Sequence, residues 1–187
     1  MCLLGCRDGD DNIFIANEHA ERKWLPERHA GAIKAMLARH QVRVAGGLWT
    51  IRGVPRRPLD LADVKRFVAG ADVFSKQSDG STVADQYGKL GIHLRPANME
   101  RVNGWAEVLH RLGDPAAGLQ PTLFLHARCG RLLETLPALQ HDPNRPEDVL
   151  KVDADEDGNG GDDCADCLRY AVATKPRIIV QRKLSGF

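Results

Sequence analysis

The sequence predicts an α/β domain, a mixed sheet with helices on its faces, and three observations carry that expectation. Its 187 residues are the length of one domain, with room for a real core. The opening stretch reads as two short strands joined by a tight turn. From residue 67 onward, short apolar runs alternate with amphipathic helical ones, the pattern of strands covered by helices.

Each element follows from local chemistry. Residues 2–7 and 13–18 are apolar runs on either side of Asp8-Gly9-Asp10-Asp11-Asn12, whose residue types favour turns. A helix is expected over 26–40, since Pro26 suits a first helical turn and Ala30, Ile33, Ala35, Met36 and Leu37 form an apolar stripe. Residues 43–62 hold Gly46, Gly47, Gly53, Pro55 and Pro58 and read as an irregular insertion. Residues 67–72 read as a buried strand ending in Asp72. Beyond it the pattern gives helices over 81–90, 98–112 and 128–139, strands over 92–94 and 121–126, a loop over 141–146, and a last helix over 162–173. The 98–112 helix keeps Met99, Val102, Trp105, Ala106, Leu109 and Leu112 at helical spacing. Residues 1–175 therefore form the domain, followed by a basic tail over 176–187.

Composition narrows the function classes. No apolar run reaches the roughly 20 residues a membrane helix needs, so no membrane association is expected. The chain opens on no secretory pattern, and its five cysteines are expected to be reduced thiols of a cytosol-like compartment. Cys164 and Cys167 form a C-x-x-C, but a zinc ribbon needs a second such pair at short spacing. The surrounding aspartates raise thiol pKa values and so oppose redox chemistry. None of the seven histidines has a close metal-binding partner in sequence.

The net charge of +1 conceals an asymmetry. Seven acidic and no basic residues lie between Asp153 and Asp166, which leaves 26 basic against 18 acidic residues elsewhere, a net +8. Such a division suits a cation site beside a polyanion surface, or a solvated acidic loop. On a helix, Cys164, Ala165, Cys167, Leu168, Ala171 and Val172 occupy one half, and Asp162, Asp163 and Asp166 share the other. One aspartate at a helix start is ordinary capping and dipole chemistry. Three on one face repel unless solvated or neutralised by a cation, which makes them candidate metal ligands. A second motif overlaps: Asp153-x-Asp155-x-Asp157-Gly158 matches the first half of a calcium loop, although Cys164 stands where the bidentate acid belongs.

Residues 139–153, together with Asp162-Asp163-Cys164-Ala165-Asp166-Cys167-Leu168-Arg169-Tyr170, closely resemble the C-terminal nuclease domain of tailed-phage (or prophage) terminase large subunits. That family's last motif typically reads Asp-Asp-Ala-x-Asp-Ala-Leu-Arg-Tyr, and Cys164 and Cys167 take its two alanine positions. Residues 68–75 resemble its second acidic motif, at the end of a central strand, and residues 97–105 the helix after its fifth strand. The resemblance implies an RNase H-like mixed sheet flanked by helices, beginning with three antiparallel strands. It implies two magnesium or manganese ions that activate water and stabilise the leaving oxygen. Asp72 and Asp163 would be the catalytic ligands, with Asp162 and Asp166 as auxiliary ones. Double-stranded DNA, cut from concatemers during packaging in the bacterial host cytoplasm, would be the substrate. The portal and the small terminase subunit would be partners. Among scattered basic residues, Arg95 and Arg145 lie at strand and loop ends nearest the site and are the expected phosphate contacts.

The resemblance also marks what is expected to be missing. The family's first strand, with its essential aspartate, would precede residues 2–7, so the fold is expected to be N-terminally truncated. No G-x-x-x-x-G-K-[ST] of the packaging ATPase occurs. Three functions follow as expectations: a metal-dependent endonuclease domain, a catalytically inactive fragment with residual DNA or partner binding, and a calcium-binding acidic loop.

Overall fold

The computed structural model describes residues 1–43, 56–156 and 160–174. It is a mixed α/β arrangement of small sheets and helices. Strands β1 (Cys2–Arg7) and β2 (Ile13–His19) pair antiparallel as a hairpin. Its turn is tied by Asp8, whose carboxylate accepts from the Asp10 and Asn12 backbone amides at 3.0 and 2.9 Å. The third strand of this sheet is β7 (Leu123–Leu125), which lies parallel beside β2, giving the order β1-β2-β7. The two antiparallel strands expected at the start of the chain are thus joined by one parallel strand from far along it.

A second sheet consists of β5 (Phe67–Ala69) and β6 (Leu94–Pro96), paired in parallel. Among the described residues no ladder joins β1 to β5. They nevertheless share their covering layers. Helix α5 (Asp163–Ala173) packs against both strands. On the opposite side, Ala30, Ile33 and Leu37 of α1 (Pro26–Ala38), together with Ile92, collect Cys2 and Leu4 of β1, Phe67 of β5 and Leu94 of β6. Tyr87 of α2 (Val83–Lys89) and Leu90 join the same cluster. The main core lies under α5: Ile13, Ile15 and Leu123 of the first sheet meet Trp105 and Val108 of α3 (Arg101–Leu112), Leu132 of α4 (Gly130–Thr135), and Cys164, Ala165, Leu168 and Val172 of α5.

Three sequence expectations need correction. The buried strand expected over 67–72 is a half-buried strand that ends at Ala69, because the chain turns at Gly70 into the 3-10 turn Ala71–Phe74 that carries Asp72. Within 43–62, β4 (Arg56–Pro58) pairs with β3 (Gln41–Arg43), and a short 3-10 turn at Leu61–Asp63 is capped by Asp60. That part is regular because Pro58 sits on a ribbon that is two-stranded among the described residues, where it interrupts no larger ladder. Residues 44–55 of the expected insertion lie outside the described residues, as do 175–187 with the basic tail. The loop expected over 141–146 is instead a hairpin of β8 (His141–Asp142) and β9 (Arg145–Val149). Its strands are too short for alternation to be visible. Among the described residues no helix is long and apolar enough to cross a membrane.

Candidate metal centre

The backbone first brings the acidic residues toward one region. At the carboxyl end of β5 the chain passes through Gly70 into a 3-10 turn, Ala71–Phe74, that carries Asp72. The last strand ends at Val149, and two consecutive left-handed glycines then lead into α5. Gly161 has φ +77°, and a side chain there would come within 2.8 Å of the Ala154 amide nitrogen, so the residue is restricted by both conformation and space. This tight entry places Asp162 inside: its amide donates to the Val152 carbonyl at 3.0 Å, and the residue is only 3% exposed.

The aspartates of α5 meet three different fates. Asp163 is exposed on the first turn. Asp166 is buried and neutralised, accepting from Arg169 Nε at 3.0 Å and facing Arg101 Nη1 at 3.6 Å. Asp162 is buried with one oxygen unpaired: its Oδ2 has no hydrogen-bond partner, a condition shared among the described residues only with Trp105 Nε1, and the nearby charges of Lys151 and Arg101 offset its burial only in part. Burial first, and then the negative charge of Asp166, pushes the Asp162 carboxyl above the ordinary aspartate range.

Two guanidiniums organise this face. Arg169, 1% exposed, lies over the Trp105 and Tyr170 rings at 5.5 and 4.6 Å from their centroids. Gly104 makes room for it, since a Cβ there would meet Arg169 Cγ at 2.8 Å. Arg101, at the start of α3, donates through Nε to both Asp148 oxygens at 3.1 and 3.0 Å and through Nη2 to the Val149 carbonyl at 2.9 Å. Burial opposes its charge, but Asp148, Asp166 and Asp162 together outweigh that and raise its pKa. The same pairing outweighs burial at Asp148 and lowers its carboxyl pKa.

Asp72 is exposed and stands at the edge of this group. A side chain at Gly70 would touch both Asp72 Oδ1, at 2.7 Å, and the Tyr170 hydroxyl, at 3.5 Å. Burial, then the charges of Asp166 and Asp72 on either side, raises the Tyr170 pKa. Tyr170 thus connects the end of β5 with the acidic face of α5. Arg145 opens β9 and, with Arg101 and Asp148, lines a cleft of about 450 Å³. Arg95 is exposed on β6.

Among the described residues, no group of three His, Cys, Asp or Glu side chains is arrayed to hold a metal ion. The donor set of Asp72, Asp162, Asp163 and Asp166 is of the hard-oxygen type that suits magnesium or manganese. Asp162 Oδ2 supplies the kind of orphaned acceptor that such an ion satisfies. Asp166, however, already faces arginine. Of the expected calcium loop, residues 157–159 lie outside the described ones, and the Asp155 carbonyl accepts from Arg22 Nη1 at 2.9 Å. The cysteines of α5 face inward, where burial pushes Cys164 up to about 11 and Cys167 up to about 12, so both thiols stay protonated.

Sequence reasoning missed Asp148 and the roles of Arg169 and Arg101. The i, i+3 spacing of Asp166 and Arg169 was a usable signal. Arg101 and Asp148 pair across 47 positions, which no local pattern reveals. No protein family, curated protein or solved structure matches the chain.

Proposed function

We propose that this chain is a divalent-metal-dependent DNA endonuclease domain of the terminase large-subunit type, with an RNase H-like arrangement of its strands. The observation that carries the reading is the adjacency of Asp72 to the acidic face of α5 through Tyr170. In this reading, carboxylates from a strand end and a late helix, far apart in sequence, serve one centre. Asp72 and Asp163, both open to solvent, would hold the ions, with Asp162 and Asp166 supporting them from inside. When bound, such ions generate a nucleophilic water and stabilise the departing oxygen of a phosphodiester. Arg145 and Arg95 would contact phosphates and fix the register of the duplex. Double-stranded DNA would be the substrate, the portal and small terminase subunit the partners, and the cytoplasm of a bacterial host the setting.

The test is nicking of supercoiled plasmid by the purified protein in manganese or magnesium. Activity that falls to background in both Asp72→Ala and Asp163→Ala is expected. No nicking, or nicking that persists in either variant, overturns the proposal.

A second reading, DNA or partner binding without cleavage, is favoured by the divided sheet. Strands β1 and β5 each keep an edge without a ladder among the described residues, and an unpaired edge is a template for another strand. Salt-dependent DNA binding with no metal-dependent nicking is the result that selects it.

A further inference from the structure

We propose that helix α3 pairs end for end with α3 of a second copy of this chain, making a two-fold dimer on the apolar stripe of Met99, Val102, Ala106, Leu109 and Leu112. This pairing is independent of whether the chain cuts DNA.

The stripe is visible in the sequence, but the fold turns it outward. Helix α3 buries Gly104, Trp105, Val108 and Arg111. Of the apolar positions at helical spacing over 98–112, only Trp105 belongs to that buried set. Leu109 is 66% exposed, Met99 44%, Val102 41% and Leu112 39%, and Ala106 is exposed between them. Leu119, also exposed, extends the patch past the helix end, where it and Asp114 exchange backbone hydrogen bonds at 2.9 and 3.0 Å. Asn103, Glu107 and His110 fall on the remaining, polar side. The helix is therefore apolar toward the core and apolar again toward solvent, whereas a helix covered on one face needs one apolar stripe. Single exposed apolar side chains are ordinary, but a continuous line of them along a helix marks an interaction surface.

The order of side chains along the stripe identifies the partner. Ala106, the smallest, stands at the middle. At the rise of an α-helix, Val102 and Leu109 lie about 6 and about 4.5 Å to either side of it, and Met99 and Leu112 about 10 and about 9 Å. A pattern symmetric about its centre complements itself when turned end for end, as a two-fold pair requires. Ala106 then faces its own copy at the axis and lets the helices approach closely. Leu109 and Leu112 of one copy meet Val102 and Met99 of the other, beside the cleft of about 450 Å³ that Met99, Val102 and Arg101 line. The polar border agrees. Glu100 is exposed at the N-cap and His110 is exposed in the last turn. End-for-end pairing brings each glutamate beside the other copy's imidazole, and each amino end beside a carboxyl end, where helix dipoles attract. A parallel pair would set like ends together.

Sedimentation equilibrium of the full chain over a concentration series tests this. The unaltered chain should be a dimer that dissociates on dilution. Leu109→Glu should weaken self-association by at least about tenfold, since it sets a charge in an apolar contact, and should leave the melting midpoint of the dilute chain unchanged. Should that variant melt early, Ala106→Arg carries the same test at the axis. Ala106→Cys in a Cys6→Ser background, oxidised with glutathione disulfide, should give a disulfide-linked dimer on a non-reducing gel, because the two introduced thiols face each other. A single chain at every concentration overturns the proposal. So does a dimer that survives the folded Leu109 or Ala106 variant, or an Ala106→Cys dimer that does not cross-link. Because the readout is the number of chains, absence of nicking would refute the endonuclease reading without touching this one.

Discussion

Two arginine–aspartate groups join distant parts of this chain, and their acids are buried to different degrees. At the hairpin turn, Asp11 is gripped by Arg7 and by Arg111, while Arg111 also takes Glu107 at 2.8 Å. Charges there cancel, the Asp11 carboxylate is mostly exposed, and the buried partner is the arginine. At the start of α5 the carboxylates are buried: Asp148 and Asp166 pair with Arg101 and Arg169, while Asp162, in the field of Lys151 and Arg101, keeps one oxygen without a hydrogen bond. A balanced group with an exposed acid serves as a pin between turn and helix. The buried one leaves an acceptor of Asp162 unsatisfied, which costs stability.

The largest effect should come from removing the most deeply buried cation, Arg169. Arg169→Met deprives buried Asp166 of its closest partner and should cost about 3–5 kcal/mol, the usual consequence of breaking a buried pair. Arg111→Met at the hairpin should cost only about 1.5 kcal/mol, because water can take over exposed Asp11. Urea midpoints of the two variants measure the contrast directly, and equal losses would remove it.

Asp162→Asn should act in the other direction. Removing the buried carboxyl's charge while keeping side-chain shape should stabilise by about 1 kcal/mol, visible as a higher melting midpoint. A lower midpoint would mean that the charge of Asp162 is already compensated.

The smallest effect belongs to acid. Hydrogen bonds from Arg111 and Arg7 lower the Asp11 pKa from 3.8 to about 2. A lowered folded-state pKa contributes stability that is complete above the unfolded value and disappears as pH falls through the folded one. Asp11→Asn should therefore be less stable than the unaltered chain at pH 5, with the difference closing by about pH 2. High salt should shrink the same difference, since Asp11 faces water.

Much of this was legible in the sequence, and particular residues show where legibility ended. The apolar half of α5 could be read from periodicity alone, and Cys164, Ala165, Leu168 and Val172 are buried. The polar half reads as a solvent or cation face, yet Asp166 and Arg169 are buried too, because α3 and β9 form a second covering layer. The turn at Asp8 to Asn12 was evident from its residue types, but nothing local announced that Arg111 would reach it. Parallel pairing of β7 with β2 joins segments about a hundred residues apart, beyond any local signal.

By itself, the sequence determined which side chains share a helix face, where the chain turns, and that acidic residues concentrate before α5. Those follow from backbone periodicity and local bonding, which act over a few residues. Only the tertiary structure decided what each aspartate does: Asp163 meets water, Asp166 meets arginine, and Asp162 meets neither. The physical reason is that a carboxylate's state depends on the dielectric and the charges around it, and here those are supplied by α3, β9 and the end of β5, elements the chain brings together only when it folds.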